Sequence, residues 1–399
     1  MQWLEIIILL LAGIIFFNYA GYAIIAGIIA KLSAQKKPVV DTIYQPNLSF
    51  IVAAYNEEDI IEDKILNTLA LDYPANKIEL LFITDGSTDR TNEIISRYSQ
   101  VKLLFQPERK GKSAALNRVV ESASHEILVF SDANTFLNPE ALGLMMQHYA
   151  DPRTGGVSGE KKVKSLAKSN ANSEGLYWKY ESLLKKIDSA FYSLVGAAGE
   201  LFSVRKSLYI PVAENVLLDD FVISMRVVTK GFKVKYEPAA YGAELGSAGI
   251  SEEEKRKVRI AMGGFQAMKE FRHLYRFWKT PRLSYLYISH RVLRWAVTPF
   301  CLPLLLIINI IVVIMGTSPL FVVLLAAQLL FYLSALIGYG LYKKGIKISI
   351  FNICYYFVFM NISVIKGFIK YLDRKNVVSG AWEKSKREMS QTHSGLKQF

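Results

Sequence analysis

Long apolar runs almost without charge restrict this chain more than any other feature. Leu4–Ala30, Val292–Met315, Pro319–Leu341 and Ile348–Ile369 are each near the roughly 20 residues that a helix needs to cross a bilayer. Between the first and second runs, from about Lys36 to Arg282, the sequence has the mixed texture of a soluble domain and enough length for a full core. Of the 399 residues 51% are hydrophobic, yet the charged 21% is ordinary for a globular protein, so the apolar excess is concentrated in the four runs.

The first run does not read as a cleavable leader, because Glu5 rather than a basic region precedes it and its length exceeds the usual apolar core of one. Lys31, Lys36 and Lys37 follow it, which by the positive-inside tendency places that end in the cytoplasm and Met1 outside. An uncleaved anchor over residues 1–32 is the expectation. The formal charge of +13 raises nucleic acid as a partner. Many of the lysines and arginines, however, flank the apolar runs, where anionic headgroups would meet them. Membrane lipids are therefore expected as partners, and nucleic acid is not. Cys301 and Cys354, the only cysteines, both lie in apolar runs, which excludes a disulfide framework and a zinc site built on cysteine.

After a polar linker, Ser33 to Pro46, apolar strand-like runs alternate with helical periodicity. Leu48–Ala54, Ile78–Thr84, Val101–Phe105 and Glu126–Ser131 read as strands, and Glu58–Leu71, Thr88–Tyr98 and Lys112–Ser122 as helices. That alternation predicts an α/β domain with a mostly parallel sheet covered on both faces, whose ligands bind beyond the carboxyl ends of the strands. Farther on, Gly155–Val163 reads as a strand, Asn172–Ser189 as a helix, Gly196–Ser203 as a small-residue turn entering a short strand, and Asp219–Lys230 and Glu252–Phe271 as helices. Phe271 to Arg294 interleaves aromatic and basic residues and is expected to lie in the membrane interface, or else on an ordinary helix surface. A fourth full span would carry the basic residues after Lys370 outside, so Ile348–Ile369 is left open as spanning, re-entrant or packed against protein.

Polar clusters fall where the strands end. Asp85 opens a turn of small polar residues, Gly86-Ser87-Thr88, before a helix, and a carboxylate there can accept from a base imide; the same residues serve equally as turn and cap. Arg109-Lys110-Gly111-Lys112-Ser113 suits a diphosphate, although Gln106 stands where a P-loop requires glycine. Asp132 and Asn134, two apart at a strand end, can share a hard divalent cation bound to phosphates, or cap the helix that follows. Asp219 and Asp220 open a helical run, where a carboxylate can act as a base towards a hydroxyl or simply complement the helix dipole.

In this order and with these gaps, the stations resemble the family 2 inverting glycosyltransferases, the group containing cellulose, chitin and hyaluronan synthases; the resemblance covers about Leu48 to Gln266 and the membrane arrangement. Ile51-Val52-Ala53-Ala54-Tyr55-Asn56-Glu57-Glu58 is similar to the family's first nucleotide-contacting strand, and Thr84-Asp85-Gly86-Ser87-Thr88-Asp89 to its second. Lys110 to Asn117 is similar to the phosphate-side loop, Asp132-Ala133-Asn134 to the metal-binding Asp-x-Asp, and Gly196-Ala197-Ala198-Gly199 to the acceptor-facing turn. Leu218-Asp219-Asp220 matches the acidic pair whose second member is the base. Two departures stand out. Asn134 replaces a carboxylate, which lowers the expected metal affinity. Arg256-Lys257-Val258-Arg259-Ile260 keeps only the arginine of the Gln-x-x-Arg-Trp found in polymer-making members, which puts polymer synthesis in doubt.

The resemblance implies a GT-A type domain over residues 38–270, an interfacial segment over 271–291, a membrane region of about three segments over 292–371 and a basic tail over 372–399. It implies Ala54, Tyr55, Glu57, Asp85, Lys112, Asp132 and Arg259 as donor-binding residues, with Arg259 either at the diphosphate or in a helix-surface ion pair. Gly199 and Asp219 would lie on the acceptor side, Asp132 and Asn134 would hold Mg²⁺ or Mn²⁺, and Asp220 would be the catalytic base. The expected activity is inverting transfer of a hexose or N-acetylhexosamine from a nucleotide-sugar donor, UDP-linked by family membership, to a lipid-linked or saccharide acceptor. The expected place is the cell (inner) membrane with the catalytic domain cytoplasmic. A processive synthase with translocation and a catalytically silent nucleotide-binding scaffold are the alternatives.

Overall fold

The computed structural model describes residues 2–32, 40–164, 171–246, 249–316, 318–346 and 348–373, with the backbone alone at 164 and 171–177. Lys36, Lys37 and most of the tail expected over 372–399 lie outside the described residues. The chain divides into two compact units. One contains the described residues within 30–164 and 182–253, and the other those within 2–29, 171–181 and 254–373.

The first unit is built on an eight-stranded sheet in the order β3-β2-β1-β4-β7-β6-β8-β5. Its strands are β1 Leu48–Ala54, β2 Ile78–Thr84, β3 Lys102–Leu104, β4 Ile127–Asp132, β5 Phe136–Leu137, β6 Thr154–Lys164, β7 Leu201–Arg205 and β8 Lys233–Leu245. The helices are α1 Ile61–Leu69, α2 Thr91–Ser96, α3 Lys112–Ser122, α4 Ala141–Met146, α5 Ala171–Phe191, α6 Asp219–Thr229 and α7 Ile250–Glu270, of which α5 and α7 run from one unit into the other. β1 is buried along its whole length, as expected for a central strand covered on both faces. Its side chains Leu48, Phe50 and Val52 join Ile65, Phe82, Val129, Met145 and Tyr149 in the main core.

The parallel arrangement read from the alternation holds for β3, β2, β1 and β4. β1 pairs in register from Leu48 opposite Ile78 to Ala54 opposite Thr84, and places Ala53 opposite Asp132. The carboxyl ends of these strands, with their polar clusters, therefore lie along one edge. Beyond β4 the sheet is mixed: β7 runs antiparallel to β4 and β6, β8 runs parallel to β6, and β5 runs antiparallel to β8. Helices α1 and α2 are shorter than their periodicity suggested because the expected first turns are drawn into loop pairing. The Glu58 amide donates to Asp89 Oδ2 at 3.0 Å, and the Thr91 amide to Asp89 Oδ1 at 3.0 Å.

The second unit has four helices long and apolar enough to cross a membrane: Gln2–Leu32, Pro281–Ile314, Pro319–Lys343 and Ser349–Leu372. The stretch expected to lie in the membrane interface comprises a 3₁₀ turn at Arg272–Tyr275, a loop carrying the exposed Phe277 and Trp278, and the start of the second long helix. Ser349–Leu372 is one unbroken helix, and its Asn352, Asn361 and Ser363 are buried. Within it Asn361 Nδ2 donates to the Phe357 carbonyl and Ser363 Oγ to the Phe359 carbonyl, both at 2.8 Å. The greater part of α7 belongs to this unit rather than to the sheet. Gly264 leaves room for the Trp295 ring, and Gly367 leaves room for Ala261, so apolar helix surfaces meet at close range.

Candidate active site

The site is built where β1, β2 and β4 end, and two loops are first joined there. Asn56 takes a left-handed backbone, φ 52°, which asparagine tolerates because its short amide can bond locally. Its Oδ1 accepts the Thr88 amide at 2.9 Å, its own amide donates to Ser87 Oγ at 3.2 Å, and the Glu57 amide donates to Thr91 Oγ1 at 2.8 Å. The segment after β1 and the segment after β2 thus form one surface, with Ala54 buried and Tyr55 and Glu57 half-buried.

Asp85 is fully buried and holds the basic loop in place. Its carboxylate accepts the Lys110 amide at 3.0 Å and the Gly111 amide at 2.6 Å. Gly86, at φ 68°, is required at this point, since a Cβ would lie 2.9 Å from Arg109 Cβ. The loop in turn lays the Arg109 guanidinium over the Tyr55 ring, 4.0 Å from its centroid. The basic loop thus links the two residues expected at the base, meeting Asp85 at Lys110 and Gly111 and Tyr55 at Arg109. That Asp85 spends its carboxylate on backbone amides was not revealed by the sequence.

A second cluster joins β4, α3 and α6. Lys112 opens α3, and its Nζ lies 2.8 Å from Asp132 Oδ1 and 3.6 Å from Asp219 Oδ2. Burial works against the Lys112 ammonium, but Asp132, Asp219 and Asp220 outweigh it and raise its pKa above the ordinary range. Asp219 is buried, and its Oδ2 accepts no hydrogen bond among the described residues. Burial, and then the Asp219 carboxylate, push the half-buried Asp220 up to about 7 against the pull of Lys112.

The turn before β7 is shaped around Asp220. Ser224 Oγ, one helical turn on, donates to the Asp220 carbonyl at 2.8 Å and accepts the Ala197 amide at 2.9 Å. The Ala198 amide donates to Ser158 Oγ at 3.1 Å. A Cβ on Gly199 would lie 3.0 Å from Asp220 Oδ2, so the absent side chain leaves the carboxylate its place. Next to it, Glu200 pairs with the buried Lys161, which also pairs with Glu244; burial would raise the Glu200 carboxyl, but the Lys161 ammonium holds it down to about 2.

Asp132 and Asn134, both half-buried, supply one carboxylate and one amide oxygen at the end of β4. These hard oxygen donors fit Mg²⁺ or Mn²⁺. Among the described residues no group of three or more His, Cys, Asp or Glu side chains is gathered for a metal. Two such donors would leave most positions of a hard cation to other oxygen ligands. Arg259 lies exposed on α7, in the part of that helix that belongs to the membrane unit.

Lys64 went unnoticed in the sequence. It stands among Ile61, Ile65 and Thr68 on the buried face of α1, and its Nζ donates to Ser131 Oγ at 2.8 Å and to the Thr135 carbonyl at 2.5 Å. Burial lowers it to about 7 against the pull of Asp132. A lysine in the apolar register of an amphipathic helix was the available signal.

Residues 49–210 match the family described as Glycosyl transferase family 2. The chain is similar to the poly-beta-1,6-N-acetyl-D-glucosamine synthase of Staphylococcus aureus (strain MSSA476), 30% identical over 269 residues, which cover 65% of this chain and 63% of that one. It is similar also to the synthase of the same name from Staphylococcus epidermidis, 30% identical over 255 residues, or 60% of this chain and 59% of that one. Each match spans less than two thirds of the relative's length. Among solved structures, the mannosyltransferase PcManGT from Pyrobaculum calidifontis, in complex with GDP-Man and Mn²⁺, superposes with a TM-score of 0.71 at 22% identity, over 93% of this chain and 99% of that one. That likeness bears on the fold, and the fold is of the GT-A type the sequence led us to expect.

Proposed function

We infer, from a chain that carries a family 2 glycosyltransferase domain over residues 49–210, that this protein is a membrane-bound inverting glycosyltransferase using a nucleotide-sugar donor. The observation that carries the reading is the second cluster, in which Asp132, Lys112, Asp219 and Asp220 gather at the strand ends with Gly199 against the Asp220 carboxylate. Tyr55, Arg109 and the loop held by Asp85 are proposed to receive the base, with Ala54 and Glu57 lining its approach. Asp132 and Asn134 would hold Mg²⁺ or Mn²⁺, which when bound supplies positive charge to the departing diphosphate. Lys112 lies beside Asp132, where its ammonium can reach a phosphate oxygen.

Asp220 is proposed as the base. A carboxyl raised to about 7 is ionised at neutral pH to a useful extent and is a far better proton acceptor than an ordinary aspartate. It takes the proton of the acceptor hydroxyl as that oxygen bonds to the anomeric carbon and the bond to the diphosphate breaks on the opposite face. The nucleoside diphosphate leaves, and the configuration inverts. Asp219 keeps Lys112 in the site and raises the basicity of Asp220. Arg259 is proposed either as a further residue towards the diphosphate or as a helix-surface ion-pair partner on α7.

The names of the synthases above support an N-acetylhexosamine as the transferred sugar and a saccharide as acceptor, while a UDP-linked donor and a lipid-linked acceptor are proposed from the family resemblance. Those names also favour a second reading, repeated addition to a growing polymer, against which Ile260 stands in place of the tryptophan of polymer-making members. Lys31 at the end of the first long helix supports a cytoplasmic catalytic unit at the cell membrane.

The test is release of UDP or GDP by detergent-purified protein across a panel of nucleotide sugars with Mn²⁺ or Mg²⁺, followed by sizing of the product. Metal-dependent release from one donor, falling on the order of 10²-fold or more in Asp220→Asn, is the expected result. Unchanged turnover in Asp220→Asn would overturn the mechanism, and nucleotide binding without turnover would favour a silent scaffold.

A further inference from the structure

An ammonium group inside a protein core is costly unless hydrogen bonds replace its water. Lys64 is fully buried on α1, in a register whose other members, Ile61, Ile65 and Thr68, are the ordinary packing positions of that helix. An apolar side chain of similar length would fill the same volume at no such cost. What the ammonium adds is a pair of directed donors, and both are used: one reaches Ser131 Oγ at 2.8 Å, the other the Thr135 carbonyl at 2.5 Å.

Those two acceptors bracket the segment that carries Asp132 and Asn134. The segment is a tight turn, closed by the Thr135 amide donating to the Asp132 carbonyl at 3.2 Å. Ser131 Oγ also donates to the Glu200 carbonyl at 3.1 Å, directly after Gly199. A single side chain thus fixes both ends of the turn, and through Ser131 it is linked to the strand that begins beside Gly199.

We propose that Lys64 is the positioning residue that presents Asp132 and Asn134 to the divalent cation accompanying the donor, acting through Ser131 and Thr135 and not by contact with the cation. The proposal rests on the reading of Asp132 and Asn134 as the metal-holding pair. A residue that orients ligands from behind typically changes metal affinity about 10- to 100-fold when lost. A residue that merely fills the core would alter folding and nucleotide binding together.

The experiment is titration of UDP into the full-length detergent-purified protein with and without Mn²⁺, the readout being the factor by which Mn²⁺ tightens UDP. In Lys64→Met that factor should fall by about tenfold or more while metal-free UDP affinity is unchanged. Lys64→Gln, whose amide can still donate to Ser131 and Thr135, should keep most of it. A Lys64→Met protein with the wild-type factor would overturn the proposal, as would metal-free UDP affinity falling in step in both variants. Should Lys64→Met fail to fold, Ser131→Ala removes one of the two acceptors, and a reduced factor there supports the proposal while an unchanged one overturns it. If Mn²⁺ and Mg²⁺ fail to tighten UDP in the wild-type protein, the metal reading of Asp132 and Asn134 has failed instead, and the proposal falls with it.

Discussion

Gly199→Ala separates stability from chemistry. Gly199 is not among the glycines with positive φ, so alanine can adopt its backbone without strain. By restricting the unfolded chain, the added methyl should stabilise the protein by roughly 0.4–1 kcal/mol, less what its contact costs. That contact is with the proposed base. The new Cβ would lie 3.0 Å from Asp220 Oδ2, where ordinary contact begins near 3.4 Å, so the carboxylate must give way by about 0.4 Å. If a misplacement of about 1 Å costs on the order of 10²-fold in rate, this displacement costs about sixfold in kcat. The assay is nucleoside diphosphate release at saturating donor and acceptor, with donor KM and thermal unfolding measured alongside. The expected outcome is a several-fold loss in kcat with donor KM and unfolding temperature essentially unchanged. Wild-type kcat, or a loss matched by a rise in donor KM, would refute the placing of Gly199 against the base. Gly196→Ala is the contrasting control: at φ 94°, with a Cβ 2.2 Å from the Phe221 ring, it should fail in folding rather than in chemistry.

Turnover should rise with pH through about 7, because Asp220 must lose its proton to act as base and its folded-state pKa lies there. Asp219→Asn removes one of the groups raising that pKa, so the acid limb of the pH–kcat profile should move to lower pH; an unmoved limb would mean that another group titrates. In the membrane unit, Gly264→Ala would place a methyl 2.7 Å from the Trp295 ring and should destabilise that unit by about 1–3 kcal/mol. Thermal unfolding in detergent checks this, and an unchanged transition would argue that α7 and Trp295 are not in close contact.

The half of the sheet that could be read in advance is the half governed by local rules. β1 is a continuous apolar run, α3 begins at Lys112 as its periodicity indicates, and Asp219 opens α6, so the polar stations at these ends were correctly ordered. β8 was missed because its sequence, interrupted by Pro238 and lacking an apolar run, depends on a break in register with β6 near Ser158 and Glu160 to bring it into the sheet. The division of α5 and α7 between the two units was hidden as well, since helical periodicity shows which face is apolar but not what covers it. In the site, Asp85, Lys112, Asp132 and Asp220 were singled out by their places at the ends of elements taken together with the family resemblance, since each residue type alone also suits a turn or a cap. The engagement of Asp85 with the Lys110 and Gly111 amides, and the reach of Lys64 beneath β4, are tertiary facts without a sequence pattern of their own.

The ion pair between Lys112 and Asp132 also bears on the order in which reactants arrive. While Lys112 pairs with it, the Asp132 carboxylate already faces a cation, and Asn134 brings no charge, so these two residues offer a bare divalent ion little net attraction. A cation carrying a nucleoside diphosphate meets a different balance. Its phosphates offer Lys112 a new counter-ion at the moment Asp132 is released, and the exchange conserves charge pairing throughout. Metal and nucleotide should therefore enter as one complex, and the free protein should be indifferent to the metal alone.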